Sequence, residues 1–328
     1  MPMRFVLISF FTFCLLGLTG YLFWPPVPPE TPYIPRDLWS IRSVDTMKYS
    51  RDLAREKQSS ASFQEVIETQ TAKIAATGAT HIALATPYDE EFVSYLNRWV
   101  AEARKNNLKV WFRGNLSGWE GWFQYPRVTR QEHLQGVVDF VTHNPDLFKD
   151  GDIFTPCPEC ENGGPGDPRM TGDIAGFRAF LIEEYETLSE VFKAHGVDIS
   201  LSYSSMNYDV AHLIMDPQTT RALGGIVAID HYTADPAKLA RDVSMIARDS
   251  GGKVFLGEFG APIPDIHGEM TAEAQAEWLR TAFALLAEEK DLLGLNYWVN
   301  EGGSTALWKD GIARPGVEVL HEFFTKKK

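Results

Sequence analysis

The chain has 328 residues, of which 44% are hydrophobic and 12% aromatic, enough apolar material for a large core. A formal net charge of −13 argues against nucleic acid as a partner, since phosphate binding needs a positive face, and it disfavours anionic lipid headgroups; neutral carbohydrate is compatible with it. The eight histidines are dispersed, so neither a metal centre nor a cofactor is expected.

Residues 1–24 stand apart from the rest. From Phe5 to Trp24 runs an uncharged apolar stretch of about twenty residues, long enough to cross a bilayer as a helix. Arg4 lies just before it, which orients the N-terminus inward and the bulk of the chain outward. The run ends in Leu22-Phe23-Trp24-Pro25 rather than in small residues suited to a peptidase, so a signal-anchor is expected, with a cleaved signal peptide as the alternative. Pro25, Pro26, Pro28, Pro29 and Pro32 make residues 25–35 a stiff linker. A domain spanning 36–328 then lies on the periplasmic or extracellular side, membrane contact being confined to the N-terminal segment; cleavage would make it a secreted protein.

Past the linker, strands and helices alternate. Leu38-Trp39-Ser40-Ile41 opens the first strand, and helical apolar spacing over Phe63 to Ala76 is stopped by Gly78. Strand His81 to Thr86 precedes a helix from Glu91 to Lys105, and strand Lys109 to Asn115 precedes a Trp-rich loop and a helix from about Arg130 to His143. The Asp152 run is the fourth strand, followed by a long helix from Ile174 to His195. Val197 to Tyr203 is expected as the fifth, with a short helix near Thr219 after it. Ile226 to Tyr232 and a helix from Pro236 to Arg248 come next. Val254 to Glu258 and Ala272 to Glu288 form the seventh unit, Gly294 to Trp298 and Val317 to Phe324 the eighth. Eight such units predict a single (β/α)8 barrel, the TIM-barrel architecture. A doubly wound sheet lacks support, because no glycine-rich turn follows the first strand.

Function in such a barrel lies at the C-terminal strand ends. Those ends carry carboxylates, amides, Arg113 and aromatic rings, which suit sugar hydroxyls and the apolar face of a pyranose. Glu258 ends an apolar run between Gly257 and Gly260, and Glu159 and Glu161 follow the fourth strand. Two acids at parallel strand tips are what glycoside hydrolysis needs, one to protonate the leaving oxygen and one to attack carbon.

Gly257-Glu258-Phe259-Gly260, His231-Tyr232, Trp298 and Pro158-Glu159-Cys160-Glu161-Asn162 together resemble clan A glycoside hydrolases, the retaining barrel enzymes that include the family-five cellulases and mannanases. The resemblance implies Glu258 as nucleophile and Glu159 as acid/base, with Glu161 the alternative acid/base. Where the clan has Asn before its acid/base, this chain has Pro158, which leaves the usual sugar 2-hydroxyl contact without its residue. Arg113 is the candidate to keep Glu258 ionised. Expected substrate-binding residues are Arg113, Asn115, Trp119, Trp122, Asn162, Tyr203, Asn207, His231, Tyr232, Asn296, Trp298 and Glu301. Tyr232 or His231 would orient the nucleophile. Trp119 and Trp122 are candidate platforms for an oligosaccharide, a satellite core being the alternative, and Cys157 and Cys160 form a C-x-x-C read as a loop disulfide or two unpaired thiols. The implied activity is retaining hydrolysis of an oligo- or polysaccharide. A transglycosylase with the same residues and a non-catalytic carbohydrate-binding or scaffold protein at the cell surface remain as alternatives.

Overall fold

The computed structural model describes residues 37–164 and 166–327. The expected anchor and proline linker lie outside the described residues; among the described residues no helix is long and apolar enough to cross a membrane.

Eight parallel strands form one sheet in the order β4-β3-β2-β1-β8-β7-β6-β5, namely Ile41–Asp45, His81–Leu84, Lys109–Phe112, Ile153–Phe154, Ser205–Asn207, Ile226–Asp230, Lys253–Phe259 and Leu292–Tyr297 for β1 to β8. Helices separate them throughout, and the sheet curls into a (β/α)8 barrel. The long helices fall where the apolar spacing puts them. Arg130–His143 begins with a capping box between Thr129 and Glu132, and Ile174–His195 is capped by Asp173 and stopped by Gly196 at φ 71°.

The fifth strand differs from expectation. Residues 198–200 do not pair with β6; they close the barrel against β4. Gly151 N donates to Asp198 O, Ser200 N to Asp152 O and Phe154 N to Ser200 O, and Ser200 bridges Ile153. Only after Tyr203 does the chain reach β6, where Ser205 to Asn207 pair with Ala228 to Asp230. The expected strand supplies the seam, and its continuation supplies the ladder.

Strand alternation builds the barrel interior in layers. Ile41, Ala83, Trp111, Ile153, Tyr203, Ala228 and Phe255 form an apolar plug separate from the larger core between sheet and helices. Two residues further along their strands stand Ser43, Arg113, Thr155, Ser205 and Asp230, all buried. Polar groups thus sit directly on the plug, at the C-terminal mouth.

One strand needs an irregularity to join this layer. With Phe255 pointing inward, simple alternation would turn Glu258 outward. β7 carries one residue more than β6 between the pairs Ile229↔Leu256 and Asp230↔Glu258, and one more than β8 between Leu256↔Leu295 and Phe259↔Tyr297. This bulge resets the alternation, so Glu258 faces the interior and Phe259 returns to the outer core against Phe283. The extra residue is Gly257, where a Cβ would lie 2.4 Å from Asp230 Oδ1 and 2.8 Å from Ser205 Cβ. Gly257→Ala should therefore destabilise the fold by roughly 1–3 kcal/mol through overpacking, read as a lowered midpoint of urea unfolding. An unchanged midpoint would mean that β7 accepts a side chain here.

Candidate active site

Arg113, directly beyond β3, is buried at the centre of the polar layer and binds four groups on four strands. Its Nη1 donates to Asp45 Oδ2 on β1 at 2.8 Å and to Glu258 Oε1 on β7 at 2.7 Å. Its Nη2 donates to Asp230 Oδ2 on β6 at 3.0 Å and to Ser205 Oγ on β5 at 3.1 Å. Burial opposes the charge on Arg113, but the three carboxylates outweigh it and hold its pKa well above the ordinary arginine value. Burial also pushes Asp45 up, and Asp230 well up, against the pull of Arg113.

Glu258 is thereby gripped from two sides. Arg113 takes Oε1, and the hydroxyl of Tyr232 donates to Oε2 at 2.8 Å. Burial, and next the charge of Glu258, push Tyr232 well above the usual tyrosine range, so its hydroxyl stays a donor. Asn296 steadies the layer, donating to Gly257 O at 2.9 Å and Asp45 Oδ2 at 3.3 Å.

Glu159 has a different environment. Its backbone is left-handed, with φ at 44°, and its N–H donates to Ser205 O at 2.8 Å. Asn162 donates to Oε2 at 2.8 Å, and among the described residues no guanidinium binds the carboxyl. Burial first, then the charges of Glu258 and Glu161, push its pKa up to about 8, with Arg113 opposing. Glu161 is occupied otherwise: its Oε1 accepts from Asn207 N at 2.7 Å and Asn207 Nδ2 at 2.9 Å. Cys157 and Cys160, on either side of Glu159, are joined as a disulfide.

The mouth thus brings together Glu159, Glu258, Arg113, Tyr232, Asn162 and Asn296, with Trp298 half-buried beside them, its ring 6.1 Å from Tyr232 and its Nε1 donating to Met47 Sδ at 3.4 Å. Other expected residues serve packing. His231 turns to the helix Pro236–Ser250, bonding Asp242 Oδ2 at 2.7 Å and stacking on Tyr208; only its backbone N–H reaches Glu258, at the carbonyl. Orientation of Glu258 falls to Tyr232. Asn115 is fully buried, donating to Cys157 Sγ and accepting from His133 Nε2 at 2.7 Å, so it supports the loop and does not face the mouth. Tyr203 belongs to the apolar plug, edge-on to Phe255, one layer below the mouth. Asn207 is taken by Glu161, and Glu301 by Gln70 and Lys73 on the helix Gln64–Ala76. Trp119 is no platform: it is 1% exposed, stacks on Phe180 at 5.6 Å and donates through Nε1 to Cys160 O. Trp122 is half-buried, with the Arg51 guanidinium 4.8 Å from its ring centroid.

Asp230 and Ser205 were not singled out by sequence reasoning. Asp230 ends β6, two residues beyond the inward Ala228, and Glu258 lies one residue before the end of β7, so a similar strand-end signal was present.

No protein-family model matches the chain, and no curated protein matches it in sequence. Solved structures resemble it in fold. GH5_18 from Bifidobacterium longum subsp. longum, in complex with Manβ1-4GlcNAc, superimposes with a TM-score of 0.62 at 13% identity over 87% of this chain and 78% of that one. GH5_18 from Streptomyces cattleya, in complex with GlcNAc, gives 0.62 at 15% identity over 87% and 80%. Fungal β-1,4-galactanase gives 0.59 at 14% identity over 87% and 99%.

The two loop tryptophans should separate by experiment. Trp119→Ala should destabilise by about 3–5 kcal/mol, as for a large aromatic removed from a core. Trp122→Ala should stay within about 1 kcal/mol of the parent, the size of its cation–π contact. Urea unfolding of both variants checks this, and equal losses would overturn the distinction.

Proposed function

We propose that this chain is a retaining glycoside hydrolase with Glu258 as nucleophile and Glu159 as acid/base. The observation that carries the reading is the contrast between the two carboxyls. Glu258 is held by a cation and a hydroxyl donor, and Glu159, without a cation, keeps its proton to about pH 8 in part because Glu258 is charged. Splitting two acids by environment assigns one the role of carboxylate and the other that of proton donor. The shared fold with structures of glycoside hydrolases is in accord.

In the first step Glu258 attacks the anomeric carbon while Glu159 passes its proton to the departing oxygen, leaving a glycosyl-enzyme ester. In the second, Glu159, now a carboxylate, takes a proton from water as the water oxygen attacks the same carbon and releases Glu258. Arg113 and Tyr232 hold Glu258 on line for both. Asn162 steers Glu159, and Trp298 and Trp122 offer ring faces to sugar. A carbohydrate acceptor in place of water would turn the same cycle into transglycosylation. The neighbours' ligands, Manβ1-4GlcNAc and GlcNAc, and the galactanase name make β-mannosyl, N-acetylglucosaminyl and β-galactosyl compounds the first panel to assay, β-glucosyl compounds the next.

Glu258→Ala should abolish turnover of every substrate. Glu159→Ala should still accept an aryl glycoside with an acidic leaving group but stall as the glycosyl-enzyme; azide, which needs no base, should restore turnover and yield a glycosyl azide of retained configuration. In the parent enzyme kcat/KM should fall as pH rises through about 8, where Glu159 loses the proton it must donate. Rescue in Glu161→Ala instead would move the acid/base role to Glu161, and an inverted product would defeat the mechanism.

We further propose an anchor through residues 1–24, with the barrel outside the cytoplasm. The apolar run and the proline linker support this, as does a disulfide beside Glu159, since disulfides persist in oxidising compartments. Mass spectrometry of the protein from its native membrane should find residues 1–24 retained; a mature chain starting near Pro25 would make it secreted instead.

A further inference from the structure

The Cys157–Cys160 bridge closes a ring of four residues that includes Glu159. Both cysteines are buried, at 1% and 3% exposure, whereas Glu159 between them reaches the mouth. The ring is pinned at three points. Asn115 Nδ2 donates to Cys157 Sγ, Trp119 Nε1 donates to Cys160 O at 2.9 Å, and Glu159 N donates to Ser205 O at 2.8 Å. Asn115 is itself fixed by His133, and Trp119 by Phe180.

Two facts about this ring call for a cause. First, Glu159 sits in the left-handed region, which a non-glycine residue adopts at a penalty and keeps only where its surroundings leave no alternative. Second, β4 is only two residues long, so the loop that follows it continues from a short stretch of ladder. A bridge across four residues is also a weak staple for the whole fold. The unfolded-chain entropy it removes grows with loop length, and this loop is very short. Its effect is local.

We propose that the Cys157–Cys160 disulfide is the positioning device for Glu159, locking its left-handed backbone so that the carboxyl is kept where Asn162 holds it rather than swinging into solvent. This rests on Glu159 being the acid/base. The bridge touches no reacting atom; it acts through the residue it encloses.

Two preparations test it: the double variant Cys157→Ala/Cys160→Ala, and the parent protein reduced by a dithiol. Reduction moves two electrons and two protons, the reagent's thiols becoming a disulfide as Cys157 and Cys160 become thiols; alkylation and mass measurement count them. In both preparations hydrogen exchange over residues 157–162 should rise at least about tenfold, the Glu159 amide included, while exchange in β6 and β7 and the urea midpoint stay close to the oxidised parent. Catalysis should fail selectively. For an alkyl glycoside, whose leaving group needs a proton, kcat/KM should drop on the order of 10- to 100-fold; for a dinitrophenyl glycoside it should hold within about twofold. The alkaline limb should also move below about 8, because a Glu159 released into water loses the burial that raises its pKa.

Unchanged exchange at residues 157–162 overturns the proposal, because the loop then holds without the bridge. Equal losses on both substrates with a large fall in midpoint overturn it as well, by making the bridge a general staple. If the oxidised parent turns over no glycoside, the acid/base reading fails on its own, and the exchange data still decide whether the bridge holds the loop.

Discussion

The site depends on one cation. Arg113 is the single positive group among three buried carboxylates, and its fork of donors ties β1, β5, β6 and β7 across the barrel mouth. Without it, Asp45, Asp230 and Glu258 would be buried acids repelling one another over an apolar plug, an arrangement that burial penalises heavily. A lysine would not substitute, since one ammonium cannot present four directed hydrogen bonds in a plane. Charge balance has a further consequence. Burial pushes Asp230 well above the usual carboxyl range and Asp45 upward although Arg113 binds both, so one guanidinium does not fully offset the burial of three acids.

Much of this was legible in the chain. Eight strand-helix units follow from periodicity because the strands are largely buried on both faces and the long helices bury one face, each with a local signature. The strand-end acids were legible for a similar reason: a carboxylate closing an apolar β run has no packing explanation. The fifth strand misled because residues 197–203 are apolar enough to look like a ladder strand, yet their partner is the two-residue β4, and register is a property of both strands.

The residues misread at the site share a physical cause. His231, Trp119, Asn115 and Tyr203 all lie near strand ends or in mouth loops, where composition cannot tell a side chain facing the cleft from one facing the helices. That choice turns on a single residue of phase. The Gly257 bulge shows how sensitive it is, since one inserted residue decides whether Glu258 enters the site or the outer core. His231 follows Asp230 by one position and so faces the opposite way, towards Asp242. Trp119 lies in the one-turn helix Ser117–Glu120, too short for a period to set its direction, and the close approach of Gly163 and Gly164 to it is a contact between distant segments.

The same burial that readies Glu159 for proton donation works against the fold. Its folded pKa, about 8, stands above the usual value of 4.5. Below pH about 4.5 both folded and unfolded chains hold the proton, and the group is neutral in its effect. As pH rises towards 8 the unfolded chain releases the proton and the folded chain retains it, so stability falls through that window and levels off above it. A fold selected for stability alone would place a cation beside Glu159, as it has beside Glu258. Instead the carboxyl is held by Asn162, a neutral donor, and its backbone is kept in a left-handed turn. A strained, desolvated acid facing a well-supported one is an arrangement that catalysis explains and stability does not.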